Sequence, residues 1–175
     1  MAAQAHDEED GPQENASTCI SAEQHDITFN VEIFIYSRGA VERVPPHDVP
    51  HVIVSITSSE ADRARIPESP HCRALLRLEF ADADAKTESI PEEFLFSRVH
   101  ARAIWDLVQE HLPHIERLVV HCDAGMCRSP AVAAAIAKVL TGDDAEYFRR
   151  YRPNMRVYRT MLETYYEERA GGEAS

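Results

Sequence analysis

His121-Cys122-Asp123-Ala124-Gly125-Met126-Cys127-Arg128-Ser129-Pro130 is the stretch on which the reading of this chain turns. The apolar run Leu118, Val119 and Val120 leads into it, and an alanine-rich run from Ala131 to Ala137 leads out. The pattern predicts a strand, a tight loop and a helix in succession. Ser129 is a good N-cap and Pro130 suits a first helical position, so the helix is predicted to begin there. The loop before a helix start can curl so that its backbone N–H groups point inward, forming a nest for an oxyanion. Residues Asp123, Ala124, Gly125, Met126 and Cys127 would supply those amides, and Gly125 the backbone freedom for the curl.

Arg128 adds a planar fork able to hold two oxygens of a phosphate at once, which a lysine cannot do. A thiol beside inward-facing amides, a helix N-terminus and a guanidinium is favoured as the thiolate, so Cys122 is a candidate nucleophile needing no dedicated base. Ser129 can donate a hydrogen bond to that sulfur. His121 has two readings, ordering of the loop backbone through its ring or a satisfied histidine at a strand end. A metal site built on His121, Cys122 and Cys127 is disfavoured because Arg128 would repel the cation. The reading calls for no metal and no cofactor.

Around this loop the chain reads as alternating strands and helices. Residues 29–36 (Phe29, Val31, Ile33, Phe34, Ile35) predict a strand, and His51 to Thr57 a strand buried on both faces. Leu75 to Phe80 predicts a third strand and Arg117 to His121 a fourth. Helical spacing from Phe94 to Leu112 predicts a helix ended by Pro113. Ser129 to Leu140, closed by Thr141-Gly142, should be a buried helix, followed by a short helix capped by Asp143 and a last one over about Met155 to Arg169. This order predicts an α/β three-layer sandwich with a central, mainly parallel sheet flanked by helices. The cysteine loop would lie beyond the carboxyl ends of the strands, where such sheets bind ligands.

Length and composition frame the same picture. The 175 residues suffice for one domain with a core. Residues 1–26 are polar and acidic and predict a disordered tail, with Cys19 a bystander in it; residues 27–170 form the predicted domain and 171–175 a flexible end. The net charge of -12 argues against nucleic acid and anionic membrane as partners. Four cysteines without disulfide spacing, together with no apolar signal segment and no membrane-length run, predict a reducing cytoplasmic setting.

The motif His121-Cys122-x-x-Gly125-x-x-Arg128-Ser129 resembles the signature of the cysteine-dependent protein tyrosine phosphatases. The small size and the downstream Tyr151-Arg152-Pro153-Asn154 before an amphipathic helix are similar to the dual-specificity branch, over about Ile53 to Tyr166. The resemblance implies a protein phosphatase acting through a phospho-cysteine intermediate. It casts Cys122 as nucleophile, Arg128 as phosphate clamp and Ser129 as thiolate stabiliser, with a phosphorylated protein or peptide as substrate. It also places a general-acid aspartate on the loop after the strand preceding the long helix. Asp82 fits that register better than Asp84, although it stands forty residues before Cys122, a longer spacing than the branch usually shows. Low-molecular-weight tyrosine phosphatases are similar in the loop alone, and that resemblance implies a reversible Cys122–Cys127 disulfide on oxidation.

Two features bear on substrate. Asp123 and the absence of lysine in the loop disfavour highly anionic lipid or triphosphate substrates. Arg149, Arg150, Arg152, Arg156 and Arg159 form a basic cluster that either guides a phosphopeptide or is a solvated face. The rival readings are a catalytically weak phospho-residue-binding module of the same fold, and another oxyanion-binding cysteine enzyme such as a sulfurtransferase or arsenate reductase.

Overall fold

Leu118, Val119 and Val120 are buried because their strand runs down the middle of the sheet. The computed structural model describes residues 17–24 and 27–172. In chain order these form β1 (Ser17–Gln24), β2 (Ile27–Ser37), α1 (Arg38–Val41), β3 (His51–Thr57), β4 (Cys72–Glu79), α2 (Arg98–His111), β5 (Arg117–Cys122), α3 (Arg128–Thr141), α4 (Ala145–Arg150) and α5 (Met155–Gly172). The sheet order is β1-β2-β5-β3-β4. Strands β2, β5, β3 and β4 are parallel, and β1 is antiparallel on the β2 edge.

The register brings the carboxyl ends of the parallel strands together. Ser37 lies opposite Cys122, His121 opposite Ser55, and Thr57 opposite Glu79. Alternation along the strands then sorts the side chains. Val52, Val54 and Ile56, with Leu118, Val120 and Cys122, join Ile104, Trp105 and Val108 of α2 and the small residues of α3 in the larger core. Ile53 and Val119 face the other way, into a smaller core with Tyr36, Val41 and Ala64. Each fully buried aliphatic side chain contributes about 1.5–3 kcal/mol. The helix α3 is buried from Arg128 to Ala137, and its run of alanines lets it lie close on the sheet. The Trp105 indole donates to the Met161 carbonyl at 2.9 Å, tying α2 to α5.

The fold is thus the expected mainly parallel sheet with flanking helices, and several boundaries differ from the sequence reading. Residues 17–24 were expected in a disordered tail but form β1, paired with β2 from Ser17 opposite Phe34 to Gln24 opposite Ile27. An edge strand needs only backbone pairing along one side, so a polar sequence does not exclude it. The rest of that tail, and residues 173–175 of the expected flexible end, lie outside the described residues; residues 171–172 complete α5. The long helix begins at Arg98 instead of Phe94. Leu95 is extended, which delivers Phe96 to the core against Phe80, with ring centroids 4.9 Å apart. His100 then accepts the Ser97 N–H through Nδ1 at 3.0 Å, fixing the helix start.

The helix α3 also begins earlier than predicted. Cys127, not Ser129, holds the N-cap position. Pro130 therefore sits in the first turn past N1, where its missing N–H still costs no helical bond.

Gly142 ends α3 with φ +79° and donates its N–H to Lys138 at 3.0 Å. A Cβ there would meet no atom within 4 Å, so the backbone conformation alone favours glycine. Gly142→Ala should therefore lower stability by about 1 kcal/mol and Gly142→Asn by less, read by equilibrium urea unfolding.

Candidate active site

The last residue of β5 is Cys122, and its side chain points to the face covered by α3. Cys122 is 1% exposed, and its sulfur accepts the Gly125 N–H at 3.2 Å and the Ser129 hydroxyl at 3.1 Å. Two donors converging on one sulfur above a helix N-terminus are arranged as a thiolate requires. Ser129 thus makes the contact that its candidate role needed, although it does not cap the helix.

Gly125 is where the chain reverses around that sulfur. Its φ is +70°, and a Cβ there would stand 2.8 Å from the Ser37 nitrogen and 2.9 Å from the Tyr36 carbonyl carbon. The left-handed backbone and the closeness of β2 both exclude a side chain. Ala124 and Met126 on either side are exposed, while the Asp123 carbonyl accepts the Arg38 N–H at 3.1 Å. The loop is thereby stitched to the start of α1.

Arg128 is 3% exposed, so its charge has to be satisfied from within. Nη1 donates to the Phe80 carbonyl at 2.9 Å and to Ser58 Oγ at 3.0 Å. Nη2 donates to Asp123 Oδ2 at 2.5 Å, and Ser58 in turn donates to that same oxygen at 2.8 Å. Nε is buried without a hydrogen-bond partner among the described residues, with Asp82 Oδ2 3.9 Å away. Asp123, expected as a backbone donor whose charge disfavours highly anionic substrates, turns that charge onto Arg128. Ser58 escaped the sequence reading; the only signal was its place just beyond a buried strand.

Asp82 and Asp84, the two candidate acids, are separated by the fold. Asp82 lies beside the loop, near Arg128, and accepts Asn154 Nδ2 at 2.9 Å through Oδ1. Asp84 instead accepts the Arg156 N–H at 3.1 Å. More than a third of the Asp82 side chain is exposed, so it can reach an incoming group. Burial, and then the nearby Asp82 carboxylate, push the Cys127 thiol up.

His121 lies on the opposite face of β5 from the sulfur, as alternation demands. Its Nε2 is 2.7 Å from the Ser55 hydroxyl, and burial holds the ring down at about 4. His121 is thus neutral at pH 7 and is buried against β3. The basic cluster is partly spent internally: Arg150 pairs with Glu146 at 2.8 Å, and Arg156 donates to the Phe96 carbonyl and to Glu92. Among the described residues no cluster of three His, Cys, Asp or Glu side chains is placed to hold a metal, and no helix is long and apolar enough to cross a membrane.

A cysteine loop between the central strand of a mainly parallel sheet and a buried helix defines a class: this is the fold of the dual-specificity phosphatases. The human tyrosine phosphatase-like serine/threonine/tyrosine-interacting protein is similar to this chain with a TM-score of 0.55 at 19% identity, covering 78% of this chain and 91% of that one. Human DUSP28 is similar at TM-score 0.52 and 18% identity, over 79% of this chain and 94% of its own. PTPMT1, solved in complex with PI(5)P, is similar at TM-score 0.53 and 14% identity, over 80% and 94%. No protein-family model and no curated protein matches the sequence.

The His121 ring gives the site a measurable pH signature. Its folded value, about 4, lies below the ordinary histidine range, so the unfolded chain binds the proton first as pH falls. The stability that this group contributes is present above about pH 6.5 and is lost toward pH 4. Between pH 7 and pH 5 the loss due to His121 should be about 2 kcal/mol. Urea unfolding of the parent and of His121→Gln at both pH values checks this, the variant showing the shallower dependence.

Proposed function

We propose that this protein is a cysteine-dependent phosphoric monoester hydrolase acting on phosphotyrosine in proteins or peptides, with phosphoserine and phosphothreonine as possible further substrates. The observation that carries the reading is the Arg128 fork. Its Nη1 is committed to Phe80 and Ser58, and one Nη2 hydrogen to Asp123, while buried Nε has no hydrogen-bond partner among the described residues. A guanidinium held this way, in the same loop as a doubly hydrogen-bonded cysteine sulfur, suits a phosphate dianion.

In this mechanism the Cys122 thiolate attacks phosphorus, an S–P bond forms and the ester P–O bond breaks. The protonated Asp82 carboxyl gives its proton to the leaving phenolic oxygen. The resulting carboxylate then takes a proton from water as that water attacks phosphorus. The S–P bond breaks, Ser129 and the Gly125 N–H receive the returning thiolate, and inorganic phosphate leaves. A reducing compartment such as the cytoplasm suits the free thiol.

Hydrolysis of a phosphotyrosine peptide and of p-nitrophenyl phosphate tests the reading. Cys122→Ser should abolish turnover, and Arg128→Lys should lower kcat/KM by about a hundredfold or more. Asp82→Ala should lower turnover of the peptide by about 10²–10³, and Asp84→Ala by much less, since it takes no part in the proton transfer. Turnover that survives Cys122→Ser overturns the proposal. An inactive parent that still binds phosphopeptide selects the non-catalytic phospho-residue module instead.

We further propose that Cys127 protects the nucleophile. Peroxide oxidises the Cys122 thiolate to a sulfenic acid, and the Cys127 thiol condenses with it, forming the disulfide and releasing water. Because burial and Asp82 hold the Cys127 thiol up, disulfide formation should quicken as pH rises from 7 to 9. After peroxide and then thiol reductant, Cys127→Ser should recover less activity than the parent; equal recovery refutes the protective role.

A further inference from the structure

We infer that Asn154 is the positioning residue for the general acid, an inference that rests on the phosphatase reading above. Asn154 is 7% exposed and stands between Pro153 and the start of α5. Its Oδ1 accepts the Val157 N–H at 3.1 Å, capping α5. That bond decides which way the amide faces, so Nδ2 is the atom turned to Asp82 Oδ1, at 2.9 Å. Its backbone N–H donates to the Cys127 carbonyl at 3.0 Å, and the Arg152 N–H donates to the Met126 carbonyl at 3.0 Å. One buried residue thus joins α5, the phosphate-binding loop and the acid's turn.

The neighbouring bonds make the arrangement rigid. Asp84, two residues on, accepts the Arg156 N–H, while Arg156 holds Phe96 and Glu92 at the far end of the same connection. Both ends of the segment from Asp82 to Phe96 are therefore tied to the start of α5. Within it, the Asn154 amide fixes one oxygen of Asp82 and leaves the other facing the Arg128 Nε edge at 3.9 Å. A phosphate on that edge would present its ester oxygen to a carboxyl already in place. Asn154 touches no reacting atom; it acts through Asp82. Asp84, an alternative acid in the sequence reading, anchors the turn.

The readout is the dependence of rate on the leaving group, since only a poor leaving group needs the acid's proton. Asn154→Ser and Asn154→Asp both retain an oxygen that caps α5 and remove the amide donor. With a phosphotyrosine peptide each should lower kcat/KM, which reports S–P bond formation without the later attack of water, by about tenfold or more, whereas with 2,4-dinitrophenyl phosphate kcat/KM should stay within about twofold of the parent. In the Asp82→Ala background the same substitutions should add less than about twofold for the peptide. Thermal unfolding of each variant reports separately on the cap. An equal fall in kcat/KM for both substrates, or a full loss that persists without Asp82, overturns the positioning role while Cys122-dependent turnover upholds the phosphatase reading. A parent without turnover, or turnover that survives Cys122→Ser, overturns that reading and this inference with it.

Discussion

The Arg128 guanidinium carries a positive charge almost wholly out of water, and the surrounding structure is organised to make that tolerable. A buried charge without partners costs far more than a small domain can spare. Here the partners come from the ends of different strands: the Phe80 carbonyl follows β4, Ser58 follows β3 and Asp123 follows β5. The register that aligns those ends is therefore also what makes the arginine possible. The same contacts orient the fork, so the solution to a stability problem also preorganises it as the proposed phosphate binding requires.

The helix α3 contributes in a complementary way. Its first residue is Arg128 and its second Ser129, so the helix axis points both groups and its positive end at the cysteine. Bulky side chains would hold that axis away from the sheet; the run from Ala133 to Ala135 does not. Gly125 imposes the matching constraint on the other side, where the loop passes so close to the backbone of Tyr36 and Ser37 that no Cβ fits. The spacing of loop, sheet and helix is set by small residues, while polar ones set the chemistry.

Much of this was legible in the sequence because the loop's chemistry is local. Cys122, Gly125, Arg128 and Ser129 lie within one turn of chain, and their roles follow from short-range geometry. The buried strands and α3 were readable from β-branched runs and from an alanine-rich stretch. What escaped was non-local or backbone-driven. The strand β1 is held by edge pairing, which leaves little compositional trace. The start of α2 moved because Phe96 had to reach Phe80, a contact made across the fold. His121 could not be assigned a role until alternation along β5 placed it on the face away from the sulfur. Ser129 was misread as a cap because its hydroxyl had a better partner in Cys122.

By itself, then, the sequence determined a tight cysteine loop between a strand and a helix, since the residues that make it are neighbours and their spacing is their geometry. Tertiary structure alone decided which groups complete it. Asp82 and Asp84 are two residues apart and chemically alike, and only packing against α5 turns one toward Arg128 and the other toward the Arg156 amide. Asn154 reaches Asp82 across more than seventy residues of chain, and Ser58 reaches Arg128 across a similar span. Such pairings depend on how separate elements stack, which is a property of the whole buried core and not of any one stretch of residues.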